Sequence, residues 1–367
     1  MFSVAHLPRS GIIGAGFIGE VHARAVRAAG GVLAAVAGRD ARSAQAAATR
    51  LMAQRAAASA EDLIDADDVD VVHICTPNHL HAPLAERALA AGKHVICEKP
   101  LATDVTSSRR LAELAARVPV TTAVPFVYRF YPTVRDARDR VHRGDLGTVR
   151  LMHGSYLQDW LSRTEDHDWR LDPALGGGSR AFGDIGVHWC DVVEFTTGHR
   201  ITRLAARMLT VPRGPGRPPP STEDAATVLF ATDRGAIGSV VVSQVSPGRK
   251  NRLWFSVDGA QSSLQFDQEL PDTLWVGGRE QNTVVHRGAE LRYSIVPAGH
   301  PQGYLDCFTA FVADVYAAAT GERPDGLPTF DDGLRAAVVT DAVLTSAATG
   351  GWVEVPAERS SLEEAPP

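Results

Sequence analysis

The chain has 367 residues, of which 44% are hydrophobic and 22% charged, and its formal net charge is −6. This length allows two domains with sizeable cores, and the composition is that of an ordinary globular protein. Charges of both signs are spread without a basic block or an acidic tail, which argues against nucleic acid or an anionic membrane as a partner.

No uncharged apolar run approaches the roughly 18 residues needed to span a bilayer. The start "MFSVAHLPRSGIIGAG" lacks the charged flank and long apolar run of a signal peptide. Cys75, Cys97, Cys190 and Cys307 are scattered, which suits reduced thiols in a cytoplasmic protein better than a disulfide framework or a zinc site.

From residue 10 to 126 strand-like and helix-like segments alternate. "GIIGAG" is a short apolar strand ending in glycines, and "FIGEVHARAVRAAG" is a helix stopped by Gly30 and Gly31. The strands "VLAAVAG", "VDVVHICTP", "HVICEKP" and "PVTTAVPFV" follow, separated by the helices "DARSAQAAATRLMAQR", "APLAERALAAG" and "SSRRLAELAARV". Continuous β-branched runs between helices predict βαβ units and a parallel sheet covered on both faces, a Rossmann-type domain over 1–126.

Beyond residue 127 the rhythm changes. "TVRLMHGSYL", "ITRLAARMLTV", "AATVLFAT", "AIGSVVVSQVS", "NRLWFSVDG" and "SSLQFD" read as strands with little helix between them. They predict an α/β domain over 127–355 with an open, mainly antiparallel sheet and helices near 180–197, 303–320 and 331–349. The Pro-rich stretch 212–224 is expected to be a mobile surface loop, and 356–367 a flexible tail.

"GAGFIG" is G-x-G-x-x-G at the junction of the first strand and helix, with Gly14, Gly16 and Gly19 in place. Glycine there permits the tight turn, close backbone approach to a pyrophosphate, and close helix–strand packing. The N–H groups of Phe17 and Ile18 at the helix start would then face the phosphates. About 20 residues on, where an acid often holds the ribose 2′-hydroxyl, the chain reads Gly38-Arg39-Asp40. Arg39 would meet a 2′-phosphate and favours NADP over NAD; Asp40 could instead accept from a 2′-hydroxyl, and Arg39 could be a solvated surface charge.

In "GDIGVHWCD" Asp184 and His188 stand four apart, on one face of a helix with Cβ atoms about 5–6 Å apart. A carboxylate so placed orients an imidazole and favours its protonated form, and histidine suits proton transfer near neutrality. A surface ion pair is the competing reading, but Ile185, Val187 and Trp189 make this helix apolar. Lys99 in "CEKP" ends the fourth strand, where open parallel sheets bind ligands.

"GAGFIG", "CTPNHLH", "AGKHVICEKPLA", "YRFYP", "GGGSRAFGDIGVHWCD" and a final "GYLDCF", in this order and spacing, resemble the glucose–fructose oxidoreductase and inositol dehydrogenase (Gfo/Idh/MocA) family over nearly the whole chain. The resemblance implies a Rossmann domain joined to an open antiparallel sheet, and oxidation of sugars or cyclitols, or reduction of the corresponding ketones, with NAD or NADP. It implies that Lys99, Asp184 and His188 are catalytic and that Glu98 lies near the nicotinamide ribose. By the same resemblance Thr76, Asn78 and His81 line the cofactor cleft, Arg129 lies near the nicotinamide, and Tyr128 is in the substrate region. His188 would take the hydroxyl proton as hydride leaves, Lys99 would stabilise the developing charge, and Asp184 would hold the imidazole. No metal or covalent intermediate is needed.

Tyr156, Gln158, Trp160, Trp169 and Arg170 add aromatic faces, an amide and a guanidinium suited to a polyhydroxylated ring. Both tryptophans could equally be core. Three other functions are compatible with the pattern: a redox-neutral glycosidase with tightly held NAD, a cofactor-binding regulator, and a dehydrogenase of non-sugar substrates. Val-rich "AIGSVVVSQVS" and the family resemblance together point to packing of sheet faces in a homodimer or homotetramer.

Overall fold

The computed structural model describes residues 7–214 and 221–357. The part of the predicted tail after residue 357 lies outside the described residues. Two compact units emerge. Among the described residues, one comprises 7–102, 106–127 and 304–334; the other comprises 103–105, 128–214, 221–303 and 335–357.

In the first unit, β1 (Arg9–Ile13), α1 (Phe17–Ala28), β2 (Val32–Ala37), α2 (Ala41–Leu51), β3 (Arg55–Ala56), α3 (Ala60–Asp65) and β4 (Val71–Ile74) follow in chain order. Next come α4 (His81–Ala90), β5 (His94–Cys97), α5 (Val105–Ala115) and β6 (Thr122–Ala123). The strands form a parallel sheet in the order β3-β2-β1-β4-β5-β6. The order reverses between β1 and β4, so the carboxyl ends of these two strands mark the switch point where such sheets bind ligands. Every residue of β4 is buried, as expected of a strand covered on both faces. "PVTTAVPFV" contributes only the two residues of β6, an edge strand flanked by Pro119 and Pro125.

The second unit contains α6 (Pro132–Arg143), β7 (Val149–Leu157), a short α7 (Pro173–Gly176), one π turn (Phe182–Gly186) and α8 (Val187–Thr197). It continues with β8 (Ile201–Leu209), β9 (Ala225–Thr232), β10 (Ile237–Ser243), β11 (Arg252–Gly259), β12 (Ser262–Asp267), β13 (Thr273–Gly278) and β14 (Asn282–His286). The helices α9 (Tyr304–Ala319) and α10 (Phe330–Thr349) and the strand β15 (Val353–Glu354) complete the chain. Nine strands are ordered β14-β13-β12-β11-β7-β10-β9-β8-β15. All neighbours are antiparallel except β7 and β10, which run parallel.

Three features depart from the sequence reading. The first unit is not contiguous: α9 returns to it, with Tyr316 hydrogen-bonded to Ser10 of β1 and Phe308 packed on His22 of α1. Helix α6 begins on Pro132 and ends at Gly144 (φ +86°), yet its buried face includes Arg135 and Asp136, so no apolar period announces it. The flanks of the Pro-rich stretch are anchored rather than mobile: Arg213, Thr222, Glu223 and Asp224 are buried, while residues 215–220 lie outside the described residues.

Trp189 of α8, fully buried, donates its indole N–H to the carbonyl of Trp254 on β11 at 2.9 Å. The close approach needs Gly154 on β7, where a Cβ would sit 2.1 Å from that same carbonyl oxygen. On strands β7, β9 and β10 the side chains of Leu151, Leu229, Ile237 and Val241 are exposed. Among the described residues no helix is long and apolar enough to cross a membrane.

Candidate active site

In the first unit the Gly-rich turn joins β1 to α1. Gly14 has φ +96°, and a Cβ there would sit 2.5 Å from the Cys75 carbonyl oxygen. At Gly19 a Cβ would sit 2.1 Å from the carbonyl of Gly14. Both positions therefore require glycine for packing. Gly16 differs: a Cβ there would meet nothing within 4 Å. It stands at the N-terminus of α1, which no side chain caps. The space above Gly16 and the uncapped N–H groups of Phe17 and Ile18 fit a pyrophosphate.

A second observation fits the same ligand. The Thr76 hydroxyl, just after β4, is buried with no hydrogen-bond partner among the described residues. Asn78 opens a short 3₁₀ turn close by in the chain. His81 is fully enclosed, with Nδ1 2.8 Å from the Pro100 carbonyl and Nε2 2.9 Å from the Thr76 carbonyl. Burial pushes its pKa down, against the two carbonyls that favour the charged ring. His81 thus braces the loops after β4 and β5 rather than presenting a ring nitrogen to a ligand.

After β2, Gly38 packs against α2, where a Cβ would lie 2.5 Å from Ser43 Oγ. The Arg39 side chain is 90% exposed, with Nε 3.4 Å from Asp40 Oδ2. Asp40 is the N-cap of α2: it accepts from the Ser43 N–H at 2.7 Å, and Ser43 Oγ accepts from the Asp40 N–H. The Ser43 N–H and hydroxyl hold the Asp40 carboxyl below its usual range. After β5, Glu98 is buried and Lys99 half-buried; Glu98 Oε2 accepts from the Lys99 backbone N–H at 3.1 Å, and the Lys99–Pro100 peptide is cis.

The second unit holds Asp184 and His188. Asp184 lies in the π turn and His188 is the second residue of α8, so the pair does not span an ordinary α-helical turn. A π turn rotates less per residue, which brings residues four apart more nearly into line, and such turns concentrate at functional sites. Glu223 stabilises the start of this segment by accepting from the N–H groups of Arg180 and Phe182. Asp184 Oδ2 accepts from Gln244 Nε2 at 2.7 Å, and Arg170 Nε lies 3.7 Å from Oδ1.

Behind Gln244 is a buried charge network. Arg180 donates to Gln244 Oε1 at 3.1 Å and to Asp224, which also accepts from Arg213. The Arg180 and Asp224 side chains are 0% exposed. Nothing in the sequence pattern marks Gln244 as the partner of Asp184, or Arg180 and Asp224 as the groups behind it, since they come from separate segments.

His188 is 8% exposed and packs edge-on against Tyr128, with ring centroids 5.2 Å apart, and against Tyr156 at 6.3 Å. The two phenols share a short hydrogen bond, and Tyr156 donates to Asn251 Oδ1 at 2.8 Å. The same oxygen accepts from Gln158 at 2.7 Å, and Gln158 accepts from the Trp160 indole at 2.7 Å. Tyr128, Tyr156, Gln158 and Trp160 are therefore wired together through Asn251, which sequence reasoning missed. Arg170 stacks on Trp169, 4.4 Å from the ring centroid. Arg129 is engaged elsewhere: its buried guanidinium pairs with Asp191 and lies over Phe195, an arrangement that anchors α8.

Residues 9–126 match the family model of the oxidoreductases with an NAD-binding Rossmann fold, and residues 134–265 match that of the GFO/IDH/MocA C-terminal domain. The chain belongs to the GFO/IDH/MocA oxidoreductase family. Among relatives in this family, levoglucosan dehydrogenase from Pseudarthrobacter phenanthrenivorans is 30% identical over 94% of this chain and 97% of its own length. A solved levoglucosan dehydrogenase in complex with NADH and levoglucosan superimposes with a TM-score of 0.90 at 30% identity, covering 96% of this chain and 100% of the other. An oxidoreductase domain protein from Kribbella flavida gives a TM-score of 0.90 at 35% identity, again over 96% and 100% of the two chains.

Proposed function

We propose that the protein transfers hydride between a nicotinamide cofactor and a hydroxyl-bearing carbon of a sugar, anhydrosugar or cyclitol. The observation that carries this reading is the anchoring of Asp184 by buried Gln244, in the segment that sets His188 beneath the Tyr128 and Tyr156 rings. The nicotinamide would supply the hydride acceptor. His188 takes the proton from the substrate hydroxyl, and in reduction returns it to the oxygen. Lys99 donates to that oxygen and stabilises the negative charge that develops on it. Asp184 holds the imidazole in orientation. Trp160, Trp169 and Arg170 supply faces and donors for the ring and its hydroxyls.

The relatives with levoglucosan in their names support a pyranose-like anhydrosugar as the first substrate to test. For the cofactor, exposed Arg39 beside an Asp40 that caps α2 and pairs with that arginine supports NADP. NADH bound in a solved relative supports the second reading, NAD. Four free, buried cysteines support a reducing, cytoplasmic setting.

A panel of anhydrosugars, pyranoses and cyclitols with NAD and NADP, read at the nicotinamide absorbance, tests the reading. His188→Ala should lower turnover by roughly 10²–10⁴ while cofactor binding persists. Near-parental turnover in folded His188→Ala would refute the role. Leaving-group release without net reduced cofactor would identify a redox-neutral glycosidase instead.

A further inference from the structure

We propose that His22 and His73 are positioning residues for the Glu98–Lys99 turn, held in opposite tautomers by the hydroxyls of Ser10 and Tyr316. Five side chains form one buried string through the first unit. Tyr316 OH lies 2.8 Å from Ser10 Oγ, which lies 3.0 Å from His73 Nε2. His73 Nδ1 lies 2.9 Å from His22 Nδ1, and His22 Nε2 lies 3.0 Å from Glu98 Oε1. Ser10, His22 and His73 are 0% exposed, and Glu98 and Tyr316 6%.

The hydrogen positions follow from chemistry. An ionised carboxylate only accepts, so His22 donates to Glu98 from Nε2. With one proton on each ring, His22 accepts at Nδ1, which requires His73 to donate from Nδ1. His73 Nε2 is left as an acceptor for the Ser10 hydroxyl, which in turn accepts from Tyr316. Every bond points toward Glu98, and no donor or acceptor along the string is wasted. Burial pushes the His73 pKa well down and the Tyr316 pKa up to about 12, so His73 stays neutral and Tyr316 keeps its proton.

The geometry leaves His22 little choice of partner. Its ring is held edge-on between His73, 5.2 Å away, and Phe308, 5.1 Å away. The consequence falls on the catalytic turn. With Oε1 taken by His22, Glu98 turns Oε2 to the Lys99 backbone N–H at 3.1 Å. Burial raises the Cys75 and Cys97 thiols well above their ordinary value, and His81 faces two carbonyls. His22 also stands on α1, so the helix that begins at the Gly-rich turn is tied to the segment carrying Lys99.

The effect on turnover rests on the role assigned to Lys99 above; the tautomers do not. Nitrogen NMR of the ¹⁵N-histidine-labelled full chain should show two buried rings of opposite tautomer, His22 as Nε2–H and His73 as Nδ1–H. His22→Gln can still donate to Glu98 and accept from His73, so it should keep the His73 tautomer and retain turnover within about threefold. His22→Leu should lose about tenfold or more in kcat, the usual weight of a hydrogen bond to a charged group. Tyr316→Phe should alter the His73 nitrogen signals while leaving the His22–Glu98 bond. An Nε2–H tautomer at His73 in the parent protein, or equal turnover in His22→Leu and His22→Gln, would overturn the proposal. If the parent turns over no polyol with either cofactor, the functional reading fails, and the tautomer measurement still decides this one.

Discussion

Gln244→Leu isolates the contact on which the orientation of Asp184 depends. The side chain is fully buried and bridges Asp184 Oδ2 at 2.7 Å and Arg180 at 3.1 Å. Its backbone is held independently, the N–H by the Asp224 carbonyl and the carbonyl by the Leu161 N–H, so the exchange acts on the side chain alone. Leucine is close in size and leaves little cavity. Two hydrogen bonds are lost, the one from Arg180 and the one to the Asp184 carboxylate, the latter worth about 1.5–3 kcal/mol. Arg180 keeps Asp224, so the stability loss should be of the same size, which a protein with about 5–15 kcal/mol in hand survives. If Asp184 must be aligned in the transition state, the same energy corresponds to about a 10- to 100-fold fall in kcat. Gln244→Glu is the harsher variant, because it keeps an acceptor for Arg180 but sets a second carboxylate against Asp184 in place of the donor. The assay is steady-state kcat normalised to folded protein, with cofactor affinity as the control. Parental kcat in both folded variants would refute the claim that Gln244 positions Asp184.

Gly16→Val should abolish nucleotide binding while the fold survives, since its Cβ points into open space; calorimetry and a thermal melt check both. Gly14→Val should instead unfold the first unit, because its φ is +96° and its Cβ would strike the Cys75 carbonyl. Arg39→Ala should weaken NADP more than NAD in paired titrations, and equal losses would remove the argument for NADP. The exposed Leu151, Leu229, Ile237 and Val241 favour a sheet-face dimer or tetramer, which light scattering at micromolar concentration tests; a charge at Ile237 should dissociate it. Stability should fall in mild acid: burial sets the folded pKa values of His73 and His81 below their unfolded value near 6.5, so the unfolded chain binds more protons. The contribution of the two rings is fully present above about pH 6.5 and declines as pH falls toward the folded values. An unchanged urea midpoint between about pH 7.5 and 5.5 would contradict this.

The sequence by itself determined what depends on local pattern. Apolar strands alternating with helices announced the parallel sheet, and Gly14-x-Gly16-x-x-Gly19 announced the turn that opens α1, because both are set by spacing along a few residues. The order of motifs was enough to indicate the family. Elements without an apolar period escaped: α6 buries Arg135 and Asp136, and β13 and β14 follow a change of rhythm that turn residues alone do not specify. Only the tertiary structure decided how side chains from distant segments meet. It bent the Asp184 segment into a π turn and brought Gln244 to its carboxylate across 60 residues. It also drew the flanks of a Pro-rich stretch into a buried charge cluster, and placed His22 against His73 across 51 residues. A polar group in an apolar stretch carries no local sign of its partner, because what removes its cost of burial is a hydrogen bond supplied by another part of the chain.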